Sequence, residues 1–214
     1  MHLNFNVYIL IVMFLVSLTS FMEKPSPFYL KLFPFYFSSS LIAELAEDYV
    51  AEHHMYNTGI FNIYGTIEFC FYFFVFREII VNTKAKSVIK YVLFLYPLLC
   101  MIILFFQKKV GFNSINYTTG SIITVVFSIY YFAELFQKAE IQSLARLPAF
   151  WIATGIFFST VCTFPMYTLI SFMNAVPKII VNNIYLIFYI ISLLSSVLYS
   201  IGFLCRIRIR KSTL

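Results

Sequence analysis

Near the middle of the stretch TGIFNIYGTIEFCFYFFVF, residues 58–76, stands a single acid, Glu68. A helix of about 20 apolar residues crosses the hydrocarbon of a bilayer. A charged side chain at that depth costs at least about 2.5 kcal/mol, so an acid retained there is a candidate site for a cation, a proton or a ligand's polar group. Positions three and four apart share a helix face, and around Glu68 that face holds Tyr64, Gly65, Phe71 and Tyr72. The tyrosines can donate to the carboxyl, and Gly65 can admit a neighbouring helix. No basic residue falls at similar depth, so the neutral acid form is expected. The competing reading makes Glu68 a hydrogen-bonded member of an interhelical network that only fixes packing.

Further polar side chains recur at helical spacing in later apolar stretches. GSIITVVFSIYYFAELFQK places Gly120, Thr124, Ser128, Tyr131 and Glu134 along one side, with Glu134 four residues before Lys138 at ion-pair spacing. Trp151, Gly155, Ser159 and Cys162 form one stripe, and Tyr185, Tyr189, Ser192, Ser196 and Tyr199 another. Small and hydroxyl residues at such positions usually join helices in membrane bundles. Together with Glu68 they can also line a polar pocket.

The segment LIAELAEDYVAEHHMYN concentrates Glu44, Glu47, Asp48, Glu52, His53 and His54 within eleven residues. Carboxylates with imidazoles can hold a divalent metal or a cationic ligand. Adjacent histidines diverge by about 100° on a helix, so His53 and His54 are poorly placed to share one ion. A solvated acidic helix end is the simpler account.

Enzyme signatures are missing: the sequence has no HExxH, GxSxG or phosphate-cradling glycine loop. The last apolar stretch contains no lysine for a retinal Schiff base, and no cofactor is expected. The four cysteines, Cys70, Cys100, Cys162 and Cys205, all fall in apolar stretches without a CxxC pair, which reads as buried small side chains.

The elements that must position these residues follow from composition. Of 214 residues, 61% are hydrophobic and 11% charged, against about 25% charged in soluble domains. Mean hydropathy is +0.87. The expectation is an all-α polytopic membrane protein, a single domain over residues 1–214. Its seven transmembrane helices fall near 5–22, 28–46, 57–76, 91–107, 117–136, 148–173 and 180–204. The second span is the least apolar, with Lys31 and Glu44 near its ends; Pro97 and Pro165 are expected to kink the fourth and sixth.

The net charge of +6 is scattered in short clusters between spans, which argues against nucleic-acid binding. Twelve basic residues (Lys24, Lys31, Arg77, Lys84, Lys86, Lys90, Lys138, Arg146, Arg206, Arg208, Arg210 and Lys211) lie on one side of this topology. Lys108, Lys109 and Lys178 lie on the other. The positive-inside rule then puts the N-terminus outside and the RIRIRK tail in the cytoplasm. Reading the first span as a cleaved signal peptide would invert this order, and its MHLNFN start lacks the expected basic residues.

NIYGTIEF (62–69), YYFAELFQ (130–137) and LPAFWIATGIFF (147–158) resemble an uncharacterised group of small seven-helix membrane proteins common in Bacteroidota. In that group an Ile-Glu-Phe-like step opens the third helix and a Pro-x-Phe-Trp-Ile segment the sixth. Glu68, Phe150 and Trp151 match the pattern. The resemblance implies the seven-helix architecture and brings no activity with it.

These readings favour a small sensor- or receptor-like module of a bacterial inner membrane, binding a ligand or partner helix near Glu68. The lipid bilayer is its surroundings and a membrane protein an expected partner. The alternatives are a proton- or ion-coupled transporter, a structural subunit of a membrane complex, and a lipid-modifying enzyme using the outer Glu/His cluster.

Overall fold

The structure, a computed structural model, describes residues 4–22, 26–53, 58–106, 113–137, 144–170 and 178–211. Among them there is no strand. Helix α1 (Phe5–Ser17) continues past Leu18 as a single turn, α2 (Thr19–Met22). Then come α3 (Phe28–Glu52), α4 (Thr58–Ile79), α5 (Thr83–Phe106) and α6 (Ser114–Phe136). A 3-10 turn, Leu144–Arg146, leads into α7 (Pro148–Ile170), and α8 (Lys178–Lys211) closes the chain.

Six segments are long and apolar enough to cross a membrane: Phe5–Met22, Thr58–Ile79, Thr83–Phe106, Ser114–Phe136, Pro148–Thr168 and Leu186–Cys205. The protein is a multi-pass helical membrane bundle, the architecture that satisfies every backbone group without water. The expected seven apolar spans therefore become six, plus one more polar helix. Helix α3 has the length, 25 residues or about 37 Å. It also carries Lys31, Glu44, Glu47, Asp48 and Glu52. It tolerates them because it packs between α1 and α4.

Two expected boundaries also move. The basic connection expected over 77–90 is helix except for Ile80–Asn82, since lysine and alanine are good helix formers. The Asn82 side-chain oxygen caps α5, accepting from the Lys84 and Ala85 N–H groups at 2.9 and 3.3 Å. Helix α8 runs seven residues beyond the expected end at 204, through the basic tail.

Helices α1, α3, α4, α6, α7 and α8 each pack on the next, and α8 returns to α1. This closes a ring. Helix α5 lies outside it against α4 and α6, with Phe94, Leu98, Met101 and Phe105 exposed. Two glycines set the closest approaches: a Cβ on Gly120 would meet the Phe69 ring at 2.5 Å, and one on Gly155 the Tyr199 ring at 2.6 Å. Gly65 does not play the part expected of it, since a Cβ there would meet nothing closer than Tyr117 at 3.9 Å.

Burial is uneven along the bundle. Toward the basic end, which carries Arg77, Lys84 and Arg146, Phe33, Phe73, Phe76, Ile152 and Ile156 are all 0% exposed. Phe33 anchors this plug, with the Phe71, Phe203 and Tyr199 rings at 4.9, 5.4 and 6.0 Å. Toward the acidic end, which carries Glu44 to Glu52, the facing side chains are only half-buried. These include Ala43 to Asp48 on α3, Tyr64 on α4, and Thr163 and Tyr167 on α7.

Glu134 has a definite task at the basic end. Its two carboxylate oxygens accept the Val81 and Asn82 N–H groups, each at 2.8 Å, clasping the α4–α5 turn to α6. Lys138, the expected ion-pair partner, lies outside the described residues. Glu134→Ala is expected to cost about 1 kcal/mol and to accelerate amide hydrogen exchange at Val81 and Asn82, with Glu134→Gln between it and wild type. Unchanged exchange at both amides would show that water replaces the clasp without loss.

Candidate functional site

Helix α4 turns Gly59, Ile63 and Ile67 outward. At 100° per residue, Glu68 falls on the opposite side, toward the ring interior. Its Oε1 accepts the Tyr72 hydroxyl at 2.7 Å and the Tyr36 hydroxyl at 2.9 Å. The two phenol oxygens are themselves 2.9 Å apart. Three oxygens thus share three hydrogen-bond contacts, and two phenols supply only two protons. A protonated Glu68 fills all three contacts in a cyclic order, donating from Oε1 to one phenol, which donates to the other, which donates back to Oε1.

Tyr36 supplies one corner of the triangle, yet sequence reasoning passed it over. It belongs to an α3 stripe, Tyr36, Ser40, Glu44 and Glu47, that the helical repeat keeps on one face over about 16 Å. That spacing was the available signal. The Ser40 hydroxyl meets that of Tyr64 at 2.5 Å and donates to the Tyr36 carbonyl at 2.9 Å. Tyr36 also stacks on Phe71, with centroids 4.4 Å apart and planes 4° apart. An aromatic wall thereby fixes the phenol that holds the acid.

Across the ring, Tyr199 on α8 is 4% exposed. Its hydroxyl faces Tyr72 and Ser159 without a hydrogen bond to either. An unpartnered buried hydroxyl costs about 1–3 kcal/mol. Above it, the Tyr117 hydroxyl meets that of Thr163 at 3.1 Å, and the Tyr117 and Tyr167 rings lie 4.0 Å apart. Glu68 itself is only half-buried. The acid therefore sits among tyrosines contributed by α3, α4 and α8, with the aromatic plug beneath it. Among the described residues the ion pair formed is Arg77–Glu78, at 3.5 Å, and no cation stands beside Glu68.

The acidic end of the bundle is bridged by amides. Asn4 and Asn6 donate to Glu44 Oε1 at 3.3 and 3.4 Å, and the Tyr189 hydroxyl donates to Asn4 Oδ1 at 2.5 Å. This ties α1, α3 and α8 together. Burial, reinforced by the carboxyls of Glu44, Asp48 and Glu68, pushes Glu47 up to about 7. Its ionised form is thus disfavoured in the fold. The resulting penalty is absent below the usual glutamate range, grows as pH rises, and is complete above about 7.

The expected metal cluster does not assemble. Among the described residues no three His, Cys, Asp or Glu side chains are grouped to hold an ion. Glu44 is taken by the two asparagines, and His53 Nδ1 bonds the Tyr49 carbonyl at 2.8 Å while its ring packs on Tyr49. Asp48 and Glu52 lie farther along α3 toward its exposed end. His54 lies outside the described residues.

Other candidates are placed elsewhere. Trp151 donates its indole N–H to the Ala145 carbonyl at 2.9 Å, tying the 3-10 turn to α7 at the basic end. Tyr131 is 5% exposed beside Phe76, near Glu134. It stands about 21 Å along α6 from Tyr117, away from the tyrosines around Glu68. Ser192 and Ser196 flank the buried line of α8, which is Ile191, Ser195, Tyr199 and Phe203. The Tyr185 side chain lies outside the described residues. Of the candidates that the sequence suggests, Tyr64, Glu68, Tyr72 and Ser159 meet around one point.

Comparison with known protein families, curated proteins and solved structures returned no match. The functional reading rests on the residues themselves.

Proposed function

We propose that this chain is a small binding module of a bacterial inner membrane, with seven crossings in which α3 is the seventh. Its N-terminus is outside and its basic end is in the cytoplasm. The neutral Glu68 carboxyl receives the polar group of a ligand or of a partner helix. The observation that carries this reading is the half-buried Glu68 carboxyl, satisfied by hydroxyls alone, beside the Tyr199 hydroxyl. An acid serving only as interhelical glue would be expected to have its surroundings packed to completion. The plug around Phe33 favours a dead-end site over a through-path, and so binding over transport. The gathering of Arg77, Lys84, Lys86 and Arg146 at one end favours the stated orientation.

Dicyclohexylcarbodiimide, which partitions into apolar phases and reacts with protonated carboxyls, tests the reading. In purified full-length protein Glu68 is expected to be modified ahead of the other eight acidic residues, and Glu68→Gln to lose that adduct. A folded protein in which Glu68 stays unmodified while surface acids react would contradict it.

A further inference from the structure

We propose that the protein binds one water molecule as a permanent part of its fold, in a cavity enclosed by α4, α5 and α6 near the acidic end of the bundle. The site is separate from Glu68, on the face of α4 turned toward α5 and α6. Its lining combines Gly65, Thr66 and Phe69 of α4 and Tyr96 of α5 with Asn113 and Asn116 at the start of α6. The cavity volume is about 10 Å³. A water needs about 10–15 Å³ and two to four polar partners, so the space admits one.

The polar partners are two asparagine side chains whose orientations are fixed by their other bonds. Asn113, 5% exposed, uses its Oδ1 to cap α6, accepting from the Asn116 N–H at 3.2 Å. Its Nδ2 has no partner among the described residues. Asn116, 6% exposed, donates from Nδ2 to the Cys100 carbonyl at 3.4 Å, and its Oδ1 is likewise unpartnered. Flipping either amide would set N–H against N–H at the cap, or oxygen against oxygen at Cys100. One idle donor and one idle acceptor therefore belong to the lining of one small cavity. A single water complements both, accepting from Asn113 Nδ2 and donating to Asn116 Oδ1. For its second proton the Thr66 hydroxyl oxygen is an acceptor, its own proton being given to the Asn62 carbonyl at 2.9 Å.

The surroundings favour water over other guests. The Asn113 N–H donates to Asn62 Oδ1 at 2.9 Å and the Tyr96 hydroxyl to the Asn116 carbonyl at 3.1 Å, so one polar network joins all three helices. At low dielectric a network with idle members is costly, whereas a completed one rigidifies its neighbours. Water completes it. An anion would meet the Asn116 oxygen, and a metal cation the Asn113 amide hydrogens. An apolar guest would leave both groups idle.

The test is nuclear magnetic resonance of the full-length protein carrying isotope-labelled asparagine, in a detergent without hydroxyl groups, so that water is the only molecule of this chemistry present. At mildly acidic pH side-chain amide protons exchange slowly, and through-space transfer from water is told from exchange by its inverted sign in the rotating frame. The Asn113 side-chain signal is assigned by its loss in Asn113→Ser, since serine also caps a helix. Through-space transfer from water to the Asn113 Nδ2 protons is expected, with the sign that a long-lived water gives. Asn82, exposed at the α4–α5 turn, is the internal control and is expected to show only the weak transfer of surface water. Transfer at Asn113 no stronger than at Asn82 would overturn the proposal, and this wild-type comparison decides the matter whether or not any variant folds. Thr66→Ile adds a carbon to the lining and is expected to abolish the Asn113 transfer. Full transfer in a folded Thr66→Ile protein would place the water elsewhere and overturn the assignment to this cavity.

Discussion

Gly120→Ala and Gly155→Ala are each expected to destabilise the bundle by about 1–3 kcal/mol, while Gly65→Ala leaves it unchanged or slightly more stable. The added methyl at Gly120 would sit 2.5 Å from the Phe69 ring and 2.6 Å from the Tyr96 hydroxyl. Neither neighbour has room to yield, because Phe69 is 2% and Tyr96 3% exposed, and the Tyr96 hydroxyl is held by the Asn116 carbonyl at 3.1 Å. At Gly155 the methyl would enter the face of Tyr199 at 2.6 Å. Alanine also favours helix over glycine by up to about 1 kcal/mol, so the sign of each change is set by whether space exists. At Gly65 it does, with the nearest atom at 3.9 Å.

Reversible unfolding of the three variants in mixed micelles measures the order. A Gly155→Ala protein as stable as Gly65→Ala would mean that α7 and α8 do not meet as closely as described. The Gly155 change has a second consequence, because the ring it displaces carries the hydroxyl that neighbours Tyr72 and Glu68. Glu68 chemistry should therefore change in Gly155→Ala and remain normal in Gly120→Ala.

Much of the architecture was legible in the sequence because lipid leaves the backbone few options. Apolar stretches such as 117–136 and 148–173 must be helical, and their lengths fix them as crossings. Boundaries were less legible where charge and helix propensity disagree. The segment around Lys84, Lys86 and Lys90 reads as a loop by polarity, yet it is helix capped by Asn82. Helix α3 is the hardest of the seven to read for a related reason: its packing between α1 and α4 offsets a polarity that keeps it out of the six segments apolar enough to cross by composition.

The site was half legible. Glu68, Tyr64 and Tyr72 declare themselves by depth and by i,i+4 spacing on one helix. Tyr36 lies 32 residues away on another helix, and no local period reports which face of α3 meets α4. Glu134 and Trp151 were drawn toward the site by residue type. Their partners are backbone groups, the Val81 and Asn82 amides and the Ala145 carbonyl, and backbone partners leave no trace in side-chain patterns. Gly155 and Gly65 look alike in sequence. Only the position of the opposing aromatic ring separates the close contact from the open one.

The most direct measurement is infrared difference spectroscopy of the purified protein on transfer from H2O to D2O, with Glu68→Gln and Tyr36→Phe as references. The structure predicts a protonated carboxyl band at neutral pH that is absent from Glu68→Gln. In Tyr36→Phe the same band is expected at higher frequency, because a hydrogen bond to the carboxyl has been removed. It should also shift on exchange into D2O, since the acid is only half-buried. A band that never exchanges would reduce Glu68 to sealed interhelical glue, and the absence of any band assignable to Glu68 would contradict the neutral triangle on which the account stands.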